Sequence, residues 1–411
     1  MRGTRDRQYV VSPICRNVDF AAKWEKLKPK EHYQNAKERH NMEIIVYLGM
    51  DVHKDTYSVC CYDPRSNKYF YESKMKAASR NVIKYIGKVR EQIGDVTFLC
   101  GYEAGPTGFG LYRDLGKAGI ACVVMAPTSL KKAPGSKIKN DRVDARFLAK
   151  ALFTRDYSQV HVSTKNEEAV REFCRMRHSL AGDLKKARQV LLSFLLRQGR
   201  KYDGTRYWTK AHREWLKKQE FDEEYQKEAF DEYMISVNSL EFRLHGIENR
   251  LEEIAGDGEV KEKVEKLVCF CGIDTLTAVS IVSEVGDFSR FSRAWDFSNF
   301  VGLTVGERSS GCRERHTGIT KSGNVYLRKL LTESAKSIKR SNAGGEKSKR
   351  LRMRQKGQRP EVIAYADKCR LRLKRKMQHL EMKGKAANVA STAGARELAC
   401  FVWGMMTGHT A

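Results

Sequence analysis

Ile44-Ile45-Val46-Tyr47-Leu48-Gly49-Met50-Asp51 is an apolar, strand-forming run that ends on a carboxylate. Two further β-prone runs follow across short polar breaks, Thr56–Tyr62 and Tyr69–Glu72, and the three read as strands in hairpin order. Residues 79–93 carry Val82, Ile83, Tyr85, Ile86 and Val89 on one side and predict a helix. Val96–Cys100 reads as a strand, 107–118 as a helix and Ile120–Met125 as a strand. A basic loop with Lys131, Lys132, Lys137 and Lys139 leads to a helix from Asp141 through Leu152. The order βββ-α-β-α-β-α predicts a mixed sheet flanked by helices, an α/β domain over 42–160. Residues 1–41 are polar, without periodicity, and read as a tail without fixed structure.

Beyond 160 the pattern turns helical. Phe173, Leu180, Ala187 and Phe194 recur every seven residues, with Leu184 and Leu191 between them. Val237, Leu240, Leu244, Ile247, Leu251 and Ile254 alternate steps of three and four, a heptad seam. An antiparallel coiled hairpin and a dimerising coil both fit 161–262, with the charged stretch 200–229 as the connection. The remainder, 263–411, reads as mostly helical: Leu276–Val285, Asn324–Lys339 and Ala387–Met405. A glycine-bearing loop is expected over 306–318 and a mobile one over 341–359.

The 411 residues hold 77 Lys and Arg against 50 Asp and Glu, a net charge of +27. That balance excludes a protein built to meet cations and fits a polyanion partner. The excess is local. Residues 165–262 carry 19 basic and 20 acidic side chains, whereas 308–385 carry 24 and 6. No run of eighteen apolar residues occurs, so no transmembrane helix and no membrane partner is expected, and the basic, polar start does not read as a signal peptide. Eleven scattered cysteines lack zinc-site spacing and read as reduced thiols.

Against this basic background, four acids stand out. Asp51 ends the first strand, and Glu103 holds the same place after the Val96–Cys100 strand. Asp141 and Asp144 lie three apart at a helix start, on one face. Singly, Asp141 suits an N-cap and Asp144 the helix dipole. Together the four form a hard oxygen set suited to two Mg²⁺ ions about 4 Å apart, acting on a phosphodiester.

These words resemble the DEDD tetrad of the "one-ten" family of bacterial insertion-sequence transposases, whose N-terminal domain is similar to RuvC-type, RNase H-like Holliday-junction resolvases. Gly49-Met50-Asp51-Val52-His53-Lys54-Asp55, Glu103-Ala104-Gly105-Pro106-Thr107-Gly108 and Lys139-Asn140-Asp141-Arg142-Val143-Asp144-Ala145 carry the match. Phe300-Val301-Gly302-Leu303-Thr304, Ser309-Ser310-Gly311 and Thr317-Gly318-Ile319-Thr320-Lys321-Ser322-Gly323-Asn324 with Leu327-Arg328 resemble the family's C-terminal transposase domain.

The resemblance implies a recombinase that cuts and rejoins DNA through a phosphoserine link, guided by an element-encoded bridge RNA. It implies Asp51, Glu103, Asp141 and Asp144 as Mg²⁺ ligands and Ser310 as nucleophile, with Ser309 beside it as the alternative. A covalent link keeps the bond energy for rejoining. Arg308, Arg313 and Arg315 are candidate phosphate clamps, and Lys139, Arg142, Lys321, Arg328 and Lys329 further nucleic-acid contacts. Donor and target DNA, a structured RNA and a homo-oligomer (dimer or tetramer) are the implied partners, in the bacterial cytoplasm at the nucleoid. Cys271-Gly272-Ile273-Asp274 resembles a helix-hairpin-helix turn, but Asp274 also suits the N-cap of the next helix. Two other readings fit the residues without the resemblance: a metal-dependent structure-specific nuclease with no covalent step, and a non-catalytic nucleic-acid-binding protein. In both, the Ser-Ser-Gly loop only holds a phosphate.

Overall fold

Alternation along β1 (Ile45–Val52) decides how the first unit packs. Val46, Leu48 and Met50 point to one face and join a core with Val82, Ile86 and Val89 of α1 (Ser79–Ile93) and Leu111 and Leu115 of α2 (Gly110–Lys117). The opposite face carries Gly49, and α3 (Asp141–Thr154) lies directly on it. A Cβ at Gly49 would run into the Ala145 carbonyl and the Ala149 amide, so only glycine lets helix and strand approach this closely. Tyr47 continues that face, its ring 5.5 Å from Phe153 in an edge-on contact.

The computed structural model describes residues 45–94, 96–130, 140–310, 313–341 and 346–410, with the backbone alone at 259, 308–310 and 313–316. The expected tail, 1–41, and Lys131, Lys132, Lys137 and Lys139 lie outside the described residues. The chain divides into two units between Ser163 and Thr164. In the first, β2 (Thr56–Asp63), β3 (Lys68–Lys76), β4 (Thr97–Glu103) and β5 (Ala121–Met125) complete a five-stranded sheet of order β3-β2-β1-β4-β5. The β1–β2 and β2–β3 pairs are antiparallel; β1–β4 and β4–β5 are parallel. Helices on both faces make the mixed α/β domain the sequence predicts.

The second unit is mostly helical. α4 (Lys165–Arg197) starts in a capping box, Thr164 Oγ1 accepting from Glu167 N at 3.2 Å and Thr164 N donating to Glu167 Oε2 at 2.8 Å. Its partner is α6 (Glu224–Ala255), and the pairing is antiparallel: Arg177 meets Glu248 at 2.5 Å, and Arg188, further along, meets Glu241 at 2.5 Å. The segment between them is not only a connection; it holds α5 (Lys210–Lys217).

The seam splits between two cores. Leu184, Leu191, Phe194 and Val237 pack with Leu216 and Phe230 at the far end of the hairpin. Cys174, Leu251 and Ala255 belong instead to a core shared with α7 (Gly258–Leu267), α8 (Thr275–Val285) and α9 (Ala294–Val301). α10 (Val325–Arg340), α12 (Pro360–Met382) and α13 (Ala387–Thr407) complete that core.

Two expectations need correction. The 306–318 segment is not a loop. β6 (Val305–Ser310) and β7 (Arg313–Ile319) form an antiparallel hairpin, with Val305 opposite Ile319 and Ser310 opposite Arg313. β-prone Val305, Thr317 and Ile319 outweigh Gly306 and Gly318, the two glycines within the strands. Nor is 341–359 a mobile loop throughout: α11 (Lys349–Gln355) is capped by Ser348 Oγ, which accepts from Leu351 N at 3.2 Å. Leu351 and Gln355 are buried, and Gln355 Nε2 donates to the Cys269 carbonyl at 3.0 Å. One apolar anchor and one cap fix a turn that its many cations disguise. Residues 342–345 lie outside the described residues.

Candidate active site

Pleating places the acids. Asp51 follows Gly49 by two and therefore faces α3. On β4, Gly101 lies opposite Gly49 in the parallel register, and a Cβ there would meet Leu152 of α3 at 2.7 Å. Glu103, two residues on, ends β4 on the same face. The intervening Met50 and Tyr102 are fully buried on the other side. α3 begins beside these strand ends. Its N-cap is Asn140, whose side chain accepts from Arg142 N at 3.1 Å, and Asp141 and Asp144 occupy its first turn.

Three groups come together: donor atoms of Asp51, His53 and Asp141 all lie within 4.8 Å of one another. His53 Nε2 is 3.2 Å from Asp51 Oδ2, and Lys74 Nζ donates to Asp141 Oδ2 at 2.9 Å. Glu103 and Asp144 stand outside this close triple. Asp144 is nevertheless felt at Asp51. Burial pushes the Asp51 carboxyl pKa above its usual range, His53 opposes that, and the negative charges of Asp144 and Asp141 add to it. Asp141 shifts the other way, its pKa lowered by the hydrogen bond and charge of Lys74.

Two carboxylates and an imidazole at this separation suit a divalent cation. The site's own electrostatics agree: acids crowded at one edge repel one another, and a cation relieves that repulsion.

Sequence reasoning missed His53, Lys74 and Glu72. His53 shared Asp51's face two residues on, which was a usable signal. Lys74 and Glu72 come from β3, two strands away from β1, and only register reveals them. Glu72 is mostly buried and binds both Arg142 and Arg146 of α3. Arg142, expected on nucleic acid, is thus engaged within the protein. Arg328 likewise donates to the Val301 carbonyl at 2.9 Å, closing the end of α9. Lys321 and Lys329 are exposed.

The serines lie in the other unit, at the end of β6. The side chains of Arg308, Ser309, Ser310, Arg313 and Arg315 lie outside the described residues. The root of the hairpin is firmly held. Gly302 and Gly323 have φ of +74° and +107°, and a Cβ on either would strike a backbone carbonyl, that of Ser322 or Phe300. Thr320 N donates to Thr304 O at 2.9 Å across this root. Asn324 caps α10, accepting from Leu327 N at 3.0 Å, and donates to Glu284 Oε2 at 2.7 Å. Asp274 does cap α8, accepting from Thr277 N at 2.9 Å, so this carboxylate serves the helix rather than a phosphate.

Comparison with known proteins bears on both units. Residues 48–198 match the DEDD transposase family of IS110 elements, and residues 264–352 match the family described as Transposase IS116/IS110/IS902. The transposase for insertion sequence element IS1533 of Leptospira borgpetersenii is 34% identical over 349 residues, covering 84% of this chain and 99% of that relative. A Sinorhizobium fredii protein, also given a transposase name, is 32% identical over 358 residues, 87% of each chain. The transposase for element IS1111A of Coxiella burnetii is 27% identical over 342 residues, 81% of this chain and 89% of the relative.

Proposed function

The chain belongs to the IS116/IS110/IS902 family of insertion-sequence transposases, and on that premise we propose that it cuts and rejoins DNA through a covalent phosphoserine intermediate. The observation that carries the metal half of this reading is the convergence of Asp51, His53 and Asp141 on the α3 face of the sheet. Asp51, Asp141, Asp144 and Glu103 would hold Mg²⁺, which supplies charge stabilisation to a phosphodiester under attack. His53 completes the donor set on one side, and Lys74 steadies Asp141 until a cation displaces it.

Ser310 is the nucleophile. Its Oγ forms a bond to phosphorus as the bond to one deoxyribose oxygen breaks; the proton leaves the hydroxyl and the leaving oxygen gains one. Rejoining reverses the step with a different strand end, so no bond energy is lost to water. Arg308, Arg313 and Arg315 flank this serine on β6 and β7 and supply positive charge for the phosphate oxygens. The strongly basic 308–385 region binds the phosphates of DNA and of a structured, element-encoded RNA that selects the sites by pairing.

The test is strand exchange between labelled donor and target duplexes, with and without the element's flanking transcript. Recombinant product should require both the transcript and Mg²⁺ and vanish with Asp51→Asn. Full recombination in EDTA would overturn the metal assignment, and full recombination without transcript would overturn the RNA assignment.

A further inference from the structure

The hairpin of α4 and α6 is electrically neutral as a whole, yet its far end is not. Residues 200–218 hold seven basic and two acidic side chains, together with Tyr202, Tyr207, Trp208 and Trp215. These aromatics gather around one histidine. His212 is fully buried; the ring centroids of Tyr202, Tyr207, Trp208 and Trp215 lie 4.8, 5.0, 5.2 and 5.6 Å from its own. Trp208 N donates to His212 Nδ1 at 3.2 Å, and the Arg188 guanidinium sits 4.7 Å from the Trp208 ring centre. Trp208 takes φ of +64°, a costly backbone for an aromatic residue, and these contacts hold it there.

Beside this cluster opens a cleft of about 310 Å³, walled by Leu195, Leu196, Tyr202, Tyr207 and Trp215 and edged by Arg200 and Lys201. Small-ligand pockets span roughly 300–1,000 Å³, so this one suits a single planar group. Its lining carries two cations and no carboxylate. Flat π faces with cations at the rim are the means by which proteins take a base and its phosphate together.

We propose that this cleft receives one unpaired nucleobase of a folded RNA, stacked on Tyr207 with its flanking phosphate met by Lys201 and Arg200. RNA is the occupant because its loops and bulges splay bases outward, whereas a DNA duplex keeps them stacked. The inference rests on the RNA-bound reading above and adds to it a contact on the helical hairpin, away from both the acids and the serine in sequence.

The test uses the full chain and a 12-nucleotide oligo(U) carrying one 4-thiouridine, with oligo(dT) and a blunt DNA duplex as parallel probes. Photo-adducts on oligo(U) should map to Tyr202, Tyr207 or Trp215. Tyr207→Ala should weaken oligo(U) binding by roughly tenfold or more, Tyr207→Trp should restore it, and duplex affinity should not move. Tyr207 and Lys201 are both exposed, so Lys201→Glu provides a second variant with little risk to folding. Adducts confined to 308–385, with Tyr207→Ala unchanged, would overturn the inference and leave the RNA-bound reading standing. Adducts here with oligo(dT) alone would overturn the choice of RNA. No oligo(U) or transcript binding anywhere on the chain would remove both.

Discussion

Asp51 on β1 and Asp141 on α3 bring carboxylate oxygens within 4.8 Å of each other, although β2, β3, β4 and β5 all separate them in the chain. Two side chains lie against this pair: His53 Nε2 is 3.2 Å from Asp51 Oδ2, and the Lys74 ammonium donates to Asp141 Oδ2 at 2.9 Å. Asp51→Asn and Asp141→Asn should therefore abolish divalent-ion binding, followed by Mn²⁺ titration with Mg²⁺ competition. Lys74→Gln should tighten it several-fold, since the ion no longer displaces an ammonium from Asp141. Weaker binding in Lys74→Gln would mean that the lysine belongs to the site rather than guarding it.

Gly49→Ala tests how the acids are positioned. The added methyl meets the Ala145 carbonyl and Ala149 amide, so α3 must move off β1. Overpacking of this kind costs typically 1–3 kcal/mol. A lowered thermal midpoint together with lost metal binding is expected, because the same displacement carries Asp141 away from Asp51. Lost stability with metal affinity intact would separate the packing from the site.

Glu284 lies inside the helical unit, its side chain almost fully buried. Arg175 Nε and Nη2 reach it at 2.7 and 3.0 Å, and Asn324 donates to the same carboxylate. Glu284 is buried but Arg175 is half exposed, so Arg175→Met should cost about 1–3 kcal/mol in urea unfolding, the penalty of a buried carboxylate that loses one of its donors. Removal of exposed Lys217 from Glu214 should cost less than about 1 kcal/mol. Since Asn324 also caps α10 at the hairpin root, Arg175→Met should lower recombination beyond what the fraction folded explains.

His212 makes the hairpin's far end pH-sensitive. Burial holds its pKa below the ordinary histidine value of about 6.5, with the Arg213 charge adding to the shift. The unfolded chain then binds this proton at a higher pH than the folded one. Stability from His212 is complete above about pH 6.5 and is lost as pH falls through 6.5 toward the folded value. In urea titrations the advantage of wild type over His212→Phe should shrink between pH 7.5 and 5. A constant difference would show that the proton is not excluded.

The fold of the first unit was legible because every strand carries its own signal: a short apolar or alternating run between polar breaks. The positions of Asp51 and Glu103 were legible for the same reason, as charges ending buried strands, and those of Asp141 and Asp144 as acids three apart at a helix start. Lys74 and Glu72 were hidden because their role depends on β3 lying two strands from β1, which no local pattern encodes. The β6–β7 hairpin was hidden by Gly306 and Gly318, and α11 by a run of cations around the single anchor Leu351. α12 escaped notice because buried Arg370 and Lys374 interrupt its apolar face with charge. Lys374 is nonetheless satisfied, donating to the Ser341 carbonyl.

The central claim is that a serine of β6 carries the DNA during exchange. Purified chain, Mg²⁺, the flanking transcript and a labelled DNA bearing the joined element ends should yield a denaturant-resistant protein–DNA adduct, with mass spectrometry placing the bond on Ser310. Ser310→Ala should lose the adduct while keeping nucleic-acid binding, and Ser309→Ala should retain it. Turnover that releases nicked DNA with no protein attached, and that survives loss of both serines, would contradict the account.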